Sequence, residues 1–228
     1  MRECKIRSYI FMHITGKKSY SSRRWLERQR TDPYVKRSIK DGYRSRAAYK
    51  LLEIAQKFCL FQHDKVIVDL GAAPGGWSHV IAQMNQQAHI IAIDLLEMDA
   101  LPHIDFICGN FMHAETQDQL RAMILTRNPD ASDRAINCIV SDMAPSTIGH
   151  AMSDHLRMMA LAEEALQFAI DNLATHGTFL IKLFQGGEEK DFADTCKQHF
   201  EKVKFLKPSA SRKESREIYL LAQGFFKE

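Results

Sequence analysis

Lys65-Val-Ile-Val-Asp-Leu-Gly-Ala-Ala-Pro-Gly-Gly-Trp-Ser78 changes character in its middle: an apolar run gives way to a glycine-rich turn, which leads into a helical pattern. The run K-V-I-V-D-L-G (65–71) is short and rich in β-branched residues. It reads as a strand buried on both faces, as in a parallel sheet covered by helices. The same reading recurs outward from it at H-I-I-A-I-D (89–94), I-D-F-I-C-G (104–109), I-N-C-I-V-S-D (136–142) and T-F-L-I-K-L-F (178–184). V-K-F-L (203–206) and E-I-Y-L-L-A (217–222) add two more strands, making seven. Helical patterns lie between them. The longest is expected from about Asp154 to Leu173, with Leu156, Met159, Ala160, Leu166, Ile170 and Leu173 on one stripe. Ahead of the first strand, R-S-R-A-A-Y-K-L-L-E-I-A-Q-K-F (44–58) predicts a basic amphipathic helix packing Leu51, Leu52, Ala55 and Phe58. The alternation is that of an α/β doubly wound sheet.

Ligands of such sheets bind at the carboxyl ends of the parallel strands. The first strand ends in the glycine turn and the second on Asp94, an acidic residue about 20 positions further on that suits ribose hydroxyls. G-x-G-x-x-G is absent, Pro74 stiffens the loop, and no lysine-serine pair of a phosphate loop follows. An adenosine-bearing cofactor without phosphates fits this turn, which points to S-adenosylmethionine. The fourth strand delivers Asp142 to the same edge and the fifth delivers Lys182, a lone cation among Phe179, Leu180, Ile181, Leu183 and Phe184. A buried ammonium must meet an anion or shed its proton. If the last strand runs antiparallel, its first residue, Glu217, also lies at the ligand edge, and the basic helix supplies Lys50.

With 228 residues, 45% of them hydrophobic, the chain is sized for one core rather than two. No apolar run approaches the roughly 18–20 residues of a membrane span. Five scattered cysteines without a C-x-x-C pair, and ten histidines without ligand spacing, suggest neither disulfides nor a metal site, and fit a reducing compartment. The net charge of +3 hides an asymmetry: residues 1–60 carry 16 Lys/Arg against 5 Asp/Glu, whereas residues 61–200 carry 8 against 19. A basic run is commonly a solvated face. One this dense, interleaved with Trp25, Tyr34 and Tyr43, has the make-up of a phosphate-contact surface.

R-S-R-A-A-Y-K-L, D-L-G-A-A-P-G-G-W-S, D-L-L-E-M-D, S-D-M-A-P, K-L-F-Q-G and S-R-E-I-Y, in this order, closely resemble the FtsJ-like ribosomal RNA large-subunit methyltransferase E family. The resemblance covers roughly Gly16 to the C-terminus. It implies a Rossmann-like methyltransferase fold, S-adenosyl-L-methionine as cofactor and methylation of a ribose 2′-hydroxyl, which makes RNA and not DNA the substrate. The family's catalytic Lys-Asp-Lys-Glu set falls on Lys50, Asp142, Lys182 and Glu217. Its cofactor contacts fall on Gly75, Trp77, Asp94, Asn110 and Asp142. The usual G-D-F after the third strand is G-N-F here, so Asn110 stands where a carboxylate accepts from the adenine amino group. Lys182 would deprotonate or steer the 2′-hydroxyl; burial and Lys50 favour loss of its proton, and the two carboxylates oppose it.

Each residue also has a plainer reading. Lys182 and Asp142 could form a buried ion pair, Glu217 a strand-end charge and Lys50 a snorkelling side chain. Trp77 could be core and Asn110 a turn cap. The leading expectation is methylation of a uridine in the loop of large-subunit ribosomal RNA that receives aminoacyl-tRNA. Its alternatives are a transfer RNA 2′-O-methyltransferase and a non-catalytic RNA-binding assembly factor. S-S-R-R-W-L-E-R-Q before D-P-Y-V-K favours the ribosomal branch, and the intact four-residue set argues against a silent factor. Residues 1–15 are expected to be a short extension, in which Arg2, Lys5 and Arg7 allow an organelle-targeting remnant and hence the mitochondrial matrix. A bacterial cytoplasm is preferred. Residues 16–228 form one methyltransferase domain whose basic segment, about 16–60, contacts RNA; a monomer is expected. Arg23, Arg24, Arg44, Arg46, Arg212 and Lys213 are assigned to RNA phosphates.

Overall fold

A computed structural model describes residues 30–127, 129, 134–146, 148–212 and 214–226. Arg23, Arg24, Trp25 and Lys213 lie outside the described residues, as does the extension at 1–15. The described elements are α1 (Pro33–Asp41), α2 (Ala48–Phe58), β1 (Val66–Leu70), α3 (Gly76–Met84), β2 (His89–Asp94), β3 (Ile104–Cys108) and α4 (Ala114–Arg127). They continue with β4 (Ile136–Ser141), α5 (Ala151–Asn172), β5 (Leu173–Phe184), α6 (Glu189–Lys197), β6 (Phe200–Leu206) and β7 (Glu217–Phe225).

The seven strands form one sheet in the order β3-β2-β1-β4-β5-β7-β6. β1 through β5 pair in parallel, and β7 runs antiparallel between β5 and β6. Strand order reverses between β1 and β4, so the crevice opens outside their carboxyl ends. Helices cover both faces. Val66, Val68 and Leu70 of β1 pack with α4, α5 and α6, whereas Ile67 packs with α2 and α3. Among the described residues no helix is long and apolar enough to cross a membrane.

Local chemistry sets the helix ends. Asp32 accepts from Tyr34 N at 3.0 Å to open α1, with Pro33 in the first turn, where a missing N–H costs nothing. Gly42 closes it in a left-handed conformation, φ 78°. Asp154 accepts from Ile148 N and Gly149 N, fixing the entry to α5.

Two expected boundaries move and one expected stripe rotates. The helix expected from Arg44 begins at Ala48, after tighter turns in which Ala48 N–H donates to Ser45 O and Tyr49 N–H to Arg46 O. β5 begins at Leu173, which pairs with Ile136 before the register shifts ahead of Cys138. The α5 stripe is rotated: Leu156 is 52% exposed and Ala160 is also exposed, while Met158, Ala162, Ala165, Phe168 and Ala169 are buried with Met159 and Leu166. Alanines let the helix lie close on the sheet, and a stripe traced through large residues misses them.

Candidate active site

Strand alternation builds the site. Cys138 and Val140 of β4, Leu180 of β5, and Tyr219 and Leu221 of β7 all face α2 and α3. Successive side chains point to opposite faces, so Asp142, Lys182 and Glu217, two residues along from these, fall on that face as well. The register sets Ser141 beside Ile181, Lys182 beside Tyr219 and Phe184 beside Glu217. The antiparallel course of β7 therefore brings its first residue to the edge where β4 and β5 end. α2 lies over this face and supplies Lys50.

The four meet as two linked pairs. Lys50 Nζ donates to Glu217 Oε2 at 2.8 Å. Lys182 Nζ donates to the main-chain carbonyl of Asp142 and lies 3.2 Å from its Oδ1. Tyr219, fully buried, donates its hydroxyl to the same Oδ1 at 2.8 Å, and Lys50 Nζ stands 5.6 Å from the centre of its ring. Burial opposes ionisation of Asp142, but Lys182, Lys50 and the Tyr219 hydroxyl outweigh it and hold the carboxyl below the usual carboxylate range. Glu217 is likewise held low by Lys50 and Lys182 against its burial. Burial, then Asp142 and Glu217, push the Tyr219 phenol well above its ordinary value, so it remains a donor.

Beside this cluster the glycine turn forms a cradle. Gly71 has φ 73°, and a Cβ there would meet Met143 Cγ at 2.3 Å; Gly75 has φ 95° and would meet Leu101 Cδ1 at 2.8 Å. Glycine alone permits both the backbone conformation and the approach of the S-D-M-A-P loop. Asp94 fastens the turn to β2, accepting from Ala73 N and Leu96 N at 2.8 Å each, with lone pairs left for a ligand's hydroxyls. Asn110 Oδ1 accepts from Met112 N at 3.0 Å, so the residue does cap its turn. The Trp77 indole is core: it packs 5.7 Å from Tyr219, donates Nε1–H to Ala47 O and is 3% exposed. Only its main chain, in the first turn of α3, remains to face a ligand.

Asp69 escapes the sequence reading. It is wholly buried at the end of β1 and accepts from the hydroxyl of Ser78 at 2.6 Å and from its backbone N–H. Burial, with Asp142 and Asp94 nearby, pushes its carboxyl up to about 7. Asp94 and Asp142 are therefore the anions beside the turn, with Asp69 largely relieved of its charge. Carboxylates at the strand ends suit a ligand with hydroxyls and positive charge, so the donor set fits S-adenosylmethionine. Tyr219 is likewise missed, although the S-R-E-I-Y segment contains it.

Three arginines assigned to phosphate have internal partners. Arg46 bonds Asp32 and the carbonyl of Ala210, Arg212 bonds Asp32 at 3.1 Å, and Arg44 bonds the carbonyls of Pro74, Asp99 and Ala100. Lys36, Arg37 and Lys40 on α1 are exposed.

Residues 43–225 match the family model described as FtsJ-like methyltransferase. The chain belongs to the FtsJ-like methyltransferase family. Within it, the chain is 45% identical to a Ribosomal RNA large subunit methyltransferase E of Sphingopyxis alaskensis, over 95% of this chain and 91% of that protein. It is 47% identical to the Ribosomal RNA large subunit methyltransferase E of Erythrobacter litoralis, over 92% and 91%. A solved structure of a putative ribosomal RNA methyltransferase from Plasmodium falciparum superposes with a TM-score of 0.71 at 29% identity, covering 82% of this chain and 100% of that one. This FtsJ-like chain has the seven-stranded, mostly parallel sheet expected from its sequence.

Proposed function

We propose that this chain methylates the ribose 2′-hydroxyl of a uridine in large-subunit ribosomal RNA, using S-adenosyl-L-methionine. The observation that carries the reading is the meeting of Lys182, Asp142, Lys50 and Glu217 beside the glycine turn. The names of its FtsJ-like relatives support the ribosomal substrate.

Gly75, Asp94, Asn110 and Asp142, with the main chain at Trp77, would hold the cofactor, which supplies an activated methyl group. Asp94 would take the ribose diol and Asn110 the adenine edge. Lys182 Nζ would face the substrate's 2′-oxygen and, as the neutral amine after ceding one proton to solvent, would take the hydroxyl proton while the oxygen–carbon bond forms and the carbon–sulfur bond of the cofactor breaks, releasing the neutral thioether. Asp142, braced by Tyr219, aims Lys182 through two oxygens of one residue. Glu217 holds Lys50, whose ammonium would stabilise the negative charge developing on the 2′-oxygen. Alignment of the reacting atoms supplies much of the acceleration.

Residues 16–228 act as one methyltransferase domain with residues 1–15 as an extension. The basic segment at about 16–60 holds RNA, with Lys36 and Lys40 of α1 as its exposed phosphate contacts. The enzyme works as a monomer in the cytoplasm on the large ribosomal subunit. Large subunits from cells lacking the gene, incubated with the protein and methyl-labelled S-adenosylmethionine, should gain label at a single 2′-O-methyluridine. Label entering transfer RNA instead would move the substrate, and no label in any RNA would overturn the reading.

A further inference from the structure

Arg44 stands out among the basic residues because its partners are main-chain carbonyls from two loops. Nη1 donates to Pro74 O at 3.2 Å and Asp99 O at 2.6 Å, and Nη2 donates to Ala100 O at 2.8 Å. Pro74 belongs to the glycine turn after β1. Asp99 and Ala100 belong to the segment between β2 and β3, which has no regular structure over residues 97–101 and exposes Leu95 and Leu96. The two loops flank Asp94. A Cβ on Gly75 would meet both Leu101 Cδ1 and Arg44 Nη1, the latter at 3.2 Å, and one on Gly76 would meet Ser45 Oγ at 2.2 Å. The R-S-R segment thus lies flat on the turn, with the guanidinium bridging it to the neighbouring loop.

We infer that Arg44 is a positioning residue for the cofactor, a strap that fixes the spacing between the two loops walling its cleft, and not a phosphate contact. The inference rests on the cofactor reading above. A planar guanidinium with five donors in a fixed fork can bond carbonyls on two loops through separate nitrogens, and each bond is charge-assisted. A lysine carries its donors on one atom and cannot span them in the same way. Without the strap, the loop of Asp99 and Ala100 has to be ordered when the ligand arrives, which weakens binding while leaving Lys182 and its partners in place.

The test compares wild type, Arg44→Ala and Arg44→Lys in calorimetric titration with S-adenosylmethionine, in steady-state assays, and in RNA binding across a salt series. Both variants should bind the cofactor about tenfold or more weakly, with KM for the cofactor raised and kcat at saturation close to wild type. Guanidinium ion at millimolar concentration should recover affinity in Arg44→Ala. The slope of log RNA affinity against log salt should stay as in wild type. A cofactor affinity within twofold of wild type in both variants overturns the strap. So does a salt slope reduced by about one in Arg44→Ala and restored in Arg44→Lys, which marks a phosphate contact. Should Arg44→Ala not fold, Arg44→Lys decides alone, because a phosphate contact tolerates lysine and the strap does not. Failure of the wild-type chain to bind S-adenosylmethionine would sink the cofactor reading itself, whereas equal binding by all three proteins sinks only the strap.

Discussion

The two faces of one sheet are built from the same strands and do opposite work. Toward α4, α5 and α6 the strands present Val68, Leu70, Ile91, Ile93, Phe179, Ile181 and Leu183, a dry surface. Toward α2 and α3 the intervening positions begin as apolar, with Ile67, Ile90, Val140 and Leu180, and end at the carboxyl edge in charge. Asp69, Asp94, Asp142 and Lys182 each lie two or four residues beyond such an apolar position. Period-2 alternation lets a single strand carry packing on one side and chemistry on the other, so the same chain segment answers to two kinds of constraint. Two neighbours in sequence, Ile181 and Lys182, are therefore expected to fail in different ways.

That division can be broken first on the dry side. Phe179→Ala should lower the unfolding free energy by about 3–5 kcal/mol, measured by urea denaturation, with the cofactor affinity of the remaining folded protein unchanged. A large loss of turnover at unchanged stability would end the separation of the faces. On the other side, Lys182→Ala should cut single-turnover methyl transfer by a factor on the order of 100 or more, equivalent to about 2.7 kcal/mol, while cofactor binding stays nearly intact. Near-normal chemistry in that variant would remove Lys182 from the mechanism.

Asp69 sharpens the comparison, since it is a charge-bearing group placed where water does not reach. Burial lifts its carboxyl from the ordinary 3.8 to about 7, so between these values the folded state binds more proton than the unfolded state. Stability from this group is then full below pH 4 and falls as pH rises toward 7. Asp69→Asn, which can still accept from Ser78, should remove that slope. Urea midpoints at pH 5 and pH 7.5 should drop less for the variant than for wild type, and equal drops would mean that the carboxyl is ionised throughout. The smallest effect belongs to Asn110. Its oxygen already serves Met112 N–H, whereas a carboxylate would keep that bond and offer a second oxygen to an adenine amino group. Asn110→Asp should tighten S-adenosylmethionine binding by about 0.5–1.5 kcal/mol, reduced if Asp94 and Asp142 repel the new charge. Calorimetry showing equal or weaker binding would leave Asn110 as a turn cap alone.

The residues that sequence reading reaches are those whose chemistry conflicts with their surroundings. Lys182 is legible because it is a cation inside an apolar strand, and the turn at 71–76 because glycines crowd a strand end. Glu217 is legible through its S-R-E-I-Y motif and through topology, since an antiparallel last strand puts its beginning at the site. Asp69 conflicts equally with its strand, yet it sits within a recognisable D-L-G motif, and its partner Ser78 lies nine residues away across a turn. Trp77 and Arg44 stay ambiguous in sequence for another reason. An indole can be core or ligand contact, and an arginine can serve phosphate or carbonyl, so side-chain type leaves the partner undecided until the fold supplies it. The α5 stripe was obscured by its alanines, whose burial follows from close packing rather than from hydrophobic bulk.

The 2.8 Å contact of Lys50 with Glu217 joins positions 167 residues apart in the chain. It has a consequence for the order of events during synthesis. β7 must insert between β5 and β6, both made before it, and it brings Glu217 and Tyr219 together. A nascent chain that stops before Glu217 lacks the anion of Lys50 and the hydroxyl that braces Asp142. Translation thus completes the cluster of Lys50, Asp142, Lys182 and Glu217 last, with the strand that occupies the gap between β5 and β6.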